Sequence, residues 1–223
     1  IADLTSAKAK VDAVAITGTV ADLTKVYVTN KASFTALGNE NIIIDPAGNP
    51  NAAQLNAIAA ATTGKVTATL DPTTALTQAT VTVLKDVKTS DNITFAPTVG
   101  TLTGKDSMNA LLDIKKILPN ANFVAVKNIT GADEKDVALV KNVLKLINPT
   151  SDVTFATGKI SAKDANDIAK AITGAGVLTA TLKDGSVAAT LKALSDISAT
   201  DALTFTTTDK SAKASDLVAL DTL

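Results

Sequence analysis

The chain has 223 residues, of which 46% are hydrophobic and 19% charged, with a formal net charge of −1. This composition excludes a disordered polyelectrolyte and lacks the basic excess of an electrostatic nucleic-acid binder. There is no Cys or His and all 21 basic residues are Lys, which removes disulfides, thiolate chemistry, the commonest neutral-pH base and the bidentate Arg fork.

Read in chain order, the sequence opens Ile1-Ala2-Asp3-Leu4 without an initiator Met. That start reads as an excerpt of a longer polypeptide. Val14-Ala15-Ile16 is a faint first strand. Val20 to Leu37 suits helix or strand equally, with Val26-Tyr27-Val28 in its middle. Ile42-Ile43-Ile44 is a short strand. Asn51 to Ala61 is a helix, with Asn51 at its cap and Gln54 three residues on. Val66-Thr67-Ala68-Thr69-Leu70 alternates with period two, as a half-buried strand does. Ile93-Thr94-Phe95 is the next strand, Lys105 to Leu118 the next helix, and the aliphatic run Phe123 to Val126 a strand buried on both faces. Val140, Val143, Leu144 and Ile147 share one helix face. Val153-Thr154-Phe155 is a strand, and Ala162 to Ile172 a helix capped by Ser161 with Asp164 three later. Leu178 to Leu182 repeats the alternating strand. Val187, Leu191, Leu194 and Ile197 mark a helix, Leu203-Thr204-Phe205 a strand, and Ala212 to Leu220 a last helix.

These elements recur. Ile93-Thr94-Phe95, Val153-Thr154-Phe155 and Leu203-Thr204-Phe205 lie 60 and 50 residues apart, each behind a hydroxyl–Asp pair. Val66 to Leu70 and Leu178 to Leu182 each follow a Gly, at Gly64 and Gly176. Ser6-Ala7-Lys8, Ser161-Ala162-Lys163 and Ser211-Ala212-Lys213 form a third set. The repeat is helix, strand, helix, strand. It divides the chain into a first unit over 1–50, a second over 51–104, a third over 105–160, a fourth over 161–210 and the start of a further unit over 211–223. Strands separated by helices favour parallel pairing. The expected fold is therefore an α/β two-layer repeat solenoid with mainly parallel strands. A string of small α/β domains is the alternative, and units of this size without staples are marginal alone.

No apolar run approaches the roughly 20 residues of a membrane-spanning helix. The fragments Gly174-Ala175-Gly176 and Gly100 to Lys105 complete neither a dinucleotide fingerprint nor a phosphate loop. No serine-nucleophile motif is present, and the acids recur with the repeat, unlike the paired carboxylates of a hydrolase. The expectation is no enzyme, no catalytic residue and no cofactor. Asp91, Asp152 and Asp201 are the candidate calcium ligands because they recur at strand starts. Backbone hydrogen bonding by turn Asp is the competing reading and the preferred one. Lys115-Lys116, Lys141 with Lys145, and Lys210 with Lys213 could attract an acidic polymer, or simply solvate helix faces. Thr occurs 34 times. The pairs Thr17/Thr19, Thr67/Thr69, Thr101/Thr103, Thr179/Thr181 and Thr204/Thr206 look like the surface of ice-binding solenoids, although Thr is also the ordinary exposed β residue.

The segments Ala53 to Ile58, Thr62 to Thr69 and Ala214 to Leu220 resemble repeats of very large secreted bacterial surface proteins, among them giant cell-surface proteins of cyanobacteria. The absence of Cys beside abundant Thr, Ala, Asp and Lys agrees with that origin. The resemblance implies an extracellular, cell-surface spacer or stalk. Its partners would be other units of the same large protein. An adhesive module recognising a glycan, a surface or a partner subunit, with calcium as an optional ion, is the alternative.

Overall fold

Strand and helix alternate along this chain because the spacing of its apolar residues alternates between period two and period 3.6. The computed structural model describes residues 9–222. The Ser6-Ala7-Lys8 copy lies outside them. The strands are β1 Ala9–Lys10, β2 Ala15–Gly18, β3 Phe34–Thr35, β4 Asn41–Ile44, β5 Val66–Thr69, β6 Asn92–Thr94, β7 Thr101–Thr103, β8 Asn128–Asp133, β9 Asp152–Thr157, β10 Leu178–Thr181 and β11 Ala202–Thr204. The helices are α1 Val20–Thr24, α2 Ala52–Ala61, α3 Gln78–Val83, α4 Gly104–Ile117, α5 Val137–Leu144, α6 Ala162–Ala171, α7 Val187–Ala193 and α8 Ala214–Asp221. The fold is α/β with mainly parallel sheets.

The chain forms two compact units. The first runs to Thr98 and includes Ala110–Asn122; the second comprises Val99–Asn109 and Phe123 onward. In the first, four parallel strands pair in the order β2-β4-β5-β6, and β1 pairs with β3 beside them as a separate two-stranded ladder. In the second, five parallel strands follow in sequence from β7 to β11. Neighbouring strands pair residues 23 to 27 positions apart, from Thr179 opposite Ala202 to Thr101 opposite Asn128. A strand with the segment that leads to its partner strand makes one coil, most often through a helix, and within each sheet the strands follow one another in chain order.

Register decides what is buried. Ile42 stands opposite Val66, and Ala68 opposite Ile93. Leu102, Ile129, Val153 and Leu178 form one continuous column in the second unit, and all four are fully buried. Buried residues of the helices meet these columns: Leu55 and Ile58 from α2, Val140 and Val143 from α5, Ala165 and Ile168 from α6. Each fully buried aliphatic side chain contributes about 1.5–3 kcal/mol. Small residues such as Ala165 and Ala169 let the helices sit close.

The expected caps form. Asn51 accepts from the Gln54 N–H at 2.9 Å and its own N–H donates to Gln54 Oε1 at 3.0 Å, a complete capping box. Ser161 accepts from the Asp164 N–H at 3.0 Å, but its hydroxyl donates to the Asp164 carboxylate at 2.6 Å. Val20 to Leu37 is neither one helix nor one strand. It passes from α1 through a π-helical stretch, Lys25–Thr29, and a 3-10 turn, Lys31–Ser33, into β3.

One expectation is corrected. Phe123 to Val126 is not a strand; it contributes one bridge, Phe123 to Ile147, and then a turn in which the Val126 N–H donates to the Phe123 carbonyl at 3.0 Å. Phe123 and Val126 are both buried whereas Val124 is exposed, and a buried i, i+3 pair is the geometry of a turn, not of a strand. The ladder is carried instead by β8, whose Gly131 at φ 69° sits at a bulge opposite β9.

Two glycines permit the coils to approach. A Cβ on Gly64 would collide with the Glu40 carbonyl, and one on Gly176 would meet the Ser151 carbonyl at 2.8 Å. Gly48 faces open space. Gly64→Ala is expected to lower the urea unfolding free energy by about 2 kcal/mol or more. Gly48→Ala should change it by less than about 0.5 kcal/mol. Far-UV circular dichroism reads both, and equal losses would refute the close-approach account.

Candidate functional site: strand-start acids, buried polar groups and threonine faces

The recurring acids sit where each coil turns into its strand. Asp91 is buried; its Oδ1 accepts from the Val66 N–H and its Oδ2 from the Lys88 N–H, both at 2.8 Å. Asp201 repeats this arrangement, with Oδ1 accepting from the Leu178 N–H at 2.7 Å and Oδ2 from the Ser198 N–H at 2.9 Å. In both cases one oxygen holds the first N–H of the neighbouring strand and the other closes the turn three residues back.

Asp152 does not belong with them. It is exposed and pairs in register with Asn128, and its Oδ1 accepts only from the Val177 N–H, at 2.9 Å. The position equivalent to Asp91 and Asp201 is Ser151, which is buried and donates to the carbonyls of Val126 and Asn148. The cause is one residue. Phe95 and Phe205 stand four places after their Asp, and Phe155 stands three after Asp152. A single-residue slip moves a strand side chain to the opposite face.

The structure therefore does not gather Asp91, Asp152 and Asp201 into one ligand set. The carboxylates of Asp91 and Asp201 have each oxygen engaged by a backbone N–H donor. Among the described residues no three His, Cys, Asp or Glu side chains group in a metal-binding arrangement.

A second set of inter-coil bonds escaped the sequence reading. Asn56 of α2 donates to Asp86 at 2.9 Å and accepts from the Asp86 N–H at 2.8 Å. Asn166 of α6 and Asp196 repeat both bonds, at 2.8 and 2.7 Å. The signal was present: each Asn falls five residues after its cap, Asn51 or Ser161, and each Asp two after a Leu, Leu84 or Leu194.

The deepest polar cluster lies in the first unit. Glu40 is 1% exposed. Its Oε2 accepts from the Tyr27 hydroxyl at 3.1 Å and from the Gly38 N–H at 2.8 Å, while its carbonyl accepts from Thr62 at 2.8 Å. Glu40 Oε1 is buried without a hydrogen bond. Burial pushes this carboxyl up, but the Gly38 N–H and the Tyr27 hydroxyl outweigh burial and hold it below the ordinary range. Burial, helped by the Glu40 charge, raises the Tyr27 phenol well above its ordinary value.

The Lys candidates mostly serve the fold. Lys115 donates to the carbonyls of Pro119 and Ala121, both at 2.8 Å. Lys141 spans α5 and α6 to Asp164 and Asp167 at 2.8 and 2.9 Å, and Lys145 donates to Asn142 at 3.1 Å. Bonds from Lys163 and Lys141 hold the Asp167 carboxyl down at about 2. Lys210 and Lys213 are exposed.

The outer sheet faces carry the Thr pairs. Thr69 faces Thr94 with hydroxyls 2.9 Å apart. Thr103 faces Thr130, Thr154 faces Thr179, and Thr181 faces Thr204. The array is interrupted by Ile43 and Asn92 beside Thr67, by Ala202 beside Thr179, and by the bulge at Gly131. Among the described residues no helix is long and apolar enough to cross a membrane. Searches against protein families, curated proteins and solved structures found no match.

Asp91→Ala leaves two N–H groups without their acceptor and is expected to cost about 2–3 kcal/mol in chemical unfolding; Asp152→Ala should cost under about 1 kcal/mol. Equal costs would refute the register argument. Tyr27→Phe should lose about 1–2 kcal/mol at neutral pH. A raised folded-state phenol stabilises below its unfolded value and loses that contribution as pH rises. The advantage of the unmodified chain over Tyr27→Phe should therefore shrink above roughly pH 10. Tyr27 is the one tyrosine and there is no Trp, so absorbance reads its ionisation directly.

Proposed function

We propose that the chain is a structural repeat module, a spacer or stalk of a secreted or cell-surface protein, and that it performs no catalysis. Within each unit the coils form a two-layer solenoid segment, sheet on one side and helices on the other. The observation carrying this reading is the use of the buried polar side chains. Asp91, Ser151, Thr62 and Thr80 all direct hydrogen bonds to backbone groups of their own turn or the adjoining coil. Such groups hold repeats together and leave no reactive atom poised over a cleft. Sequential parallel pairing in each unit further supports the solenoid, because stacked repeats bury a continuous core through neighbour contacts alone. Other units of a large surface protein are its partners in this reading.

A second reading, an adhesive module for a glycan, a surface or a partner subunit, is favoured by the outward Thr pairs and by the exposed Lys210 and Lys213. Biolayer interferometry against a panel of acidic and neutral polysaccharides, with and without calcium, separates the two. The spacer gives no saturable response in either buffer. Saturable binding that disappears when Thr179 and Thr181 are changed to Ala, or on calcium removal, would replace the spacer reading with adhesion.

A further inference from the structure

The segment between α1 and β4 holds three uncommon backbone conformations in a short run. Lys25–Thr29 is π-helical, Ala36 has φ 60° and Gly38 has φ 119°. Such conformations persist where the surrounding structure over-determines them. Here the surroundings converge on one buried carboxylate. Glu40 Oε2 accepts from the Tyr27 hydroxyl, in the π-helical stretch, and from the Gly38 N–H. The same loop is bonded to the end of α2. The Glu40 carbonyl accepts from the Thr62 hydroxyl at 2.8 Å, the Gly38 carbonyl from the Thr63 N–H at 2.7 Å, and Lys31 donates to the Ala61 carbonyl at 2.9 Å.

We propose that Glu40 is an acid-sensitive clasp: protonating it loosens the segment from Tyr27 to Gly38 while β4, β5 and β6 stay paired. The ionised carboxylate accepts two charge-assisted bonds on Oε2. A proton has no good place on this group. On Oε2 it competes with the Tyr27 and Gly38 donors; on Oε1 it becomes a buried hydroxyl without an acceptor, because Oε1 makes no hydrogen bond. Either way the backbone at Gly38 loses the bond that fixes it. The ladder does not pass through the carboxylate, since β4 pairs with β2 and β5 through backbone groups. The other titratable groups around the cluster are Tyr27 and the exposed Lys25 of the π-helical stretch, Lys31, the exposed Lys65 before β5, and Lys88 and Asp91 before β6. Lys88 donates to the carbonyls of Thr62 and Gly64, both at 3.0 Å. With its carboxyl held below the ordinary range, Glu40 contributes stability that is present above the ordinary glutamate value and lost as pH falls through the folded one. The loosening therefore lies on the acid side of about pH 4. The inference does not rest on the spacer reading.

Hydrogen–deuterium exchange read by mass spectrometry at about pH 6 and about pH 3, corrected for intrinsic rates, tests it. Amides from Tyr27 to Gly38 are expected to lose about tenfold in protection at the lower pH, while those of β5 and β6 keep theirs. That comparison is made in the unmodified chain and needs no variant to fold. Glu40→Gln should show the loosened segment already at the higher pH, with no further loss in acid. Tyr27→Phe, which keeps the carboxylate, should retain the acid response. Tyr27 is the one tyrosine beside no Trp, so acrylamide quenching of its fluorescence reports the same opening. A segment equally protected at both pH values overturns the proposal. Loss in step with β5 and β6 overturns it too, because that is unfolding of the unit. An acid response that survives in Glu40→Gln assigns the effect to another group, such as Asp91, and also overturns it.

Discussion

The structure depends on pairing the backbone N–H groups where one coil ends and the next strand begins. Parallel strands of two to six residues leave donors at their starts that no ladder satisfies, and a buried donor without an acceptor costs about 1–3 kcal/mol. Side chains supply the missing acceptors. Asp91 serves Val66, Asp201 serves Leu178, Asn41 serves Lys65 and Asp152 serves Val177. Because each acceptor belongs to the neighbouring coil, every such bond ties two coils at the same place where their apolar columns meet. Polar pairing and apolar packing thereby enforce one register.

This explains why unlike residues share a role. Ser151 fills the position of Asp91 by donating to carbonyls where Asp accepts from N–H groups. The turn is closed either way. The Asn56–Asp86 and Asn166–Asp196 bonds tie α2 and α6 to the stretches that follow α3 and α7, and Lys141 does the same between α5 and α6 by charge. A half-buried pair of that last kind, still open to solvent, contributes little; the side-chain oxygens that accept from backbone N–H groups carry the larger share. Glu40 is the exception in kind, a buried carboxylate that one hydroxyl and one amide satisfy on a single oxygen.

Within each sheet the inner face of the ladder is buried, as at Ile42, Val66 and Ile93 and at Leu102, Ile129, Val153 and Leu178. Ile16 of β2 and Leu203 of β11 are half-buried, while Ile42 and Ala180 opposite them are buried. The outer sheet face, in contrast, is set by what water tolerates on a pleated surface. Thr suits it at nearly every coil, and Ile43 breaks the row without disturbing the ladder.

Period-two alternation at Val66 to Leu70 and Leu178 to Leu182, the caps at Asn51 and Ser161, and the recurring Phe95, Phe155 and Phe205 determined by themselves the helix–strand order and the α/β class. Those signals are local, and local propensity follows from backbone sterics and amphipathic spacing. What the tertiary structure alone decided was register. It separated Asp152 from Asp91 and Asp201, turned the aliphatic run at Phe123 into a bend, and made β8 from the unpromising Asn128 to Asp133. It also paired Asn56 with Asp86 across two coils. Each of these outcomes depends on which residue of a neighbouring coil stands opposite, and that partner is set by the length of the intervening turn rather than by the residues of the strand itself.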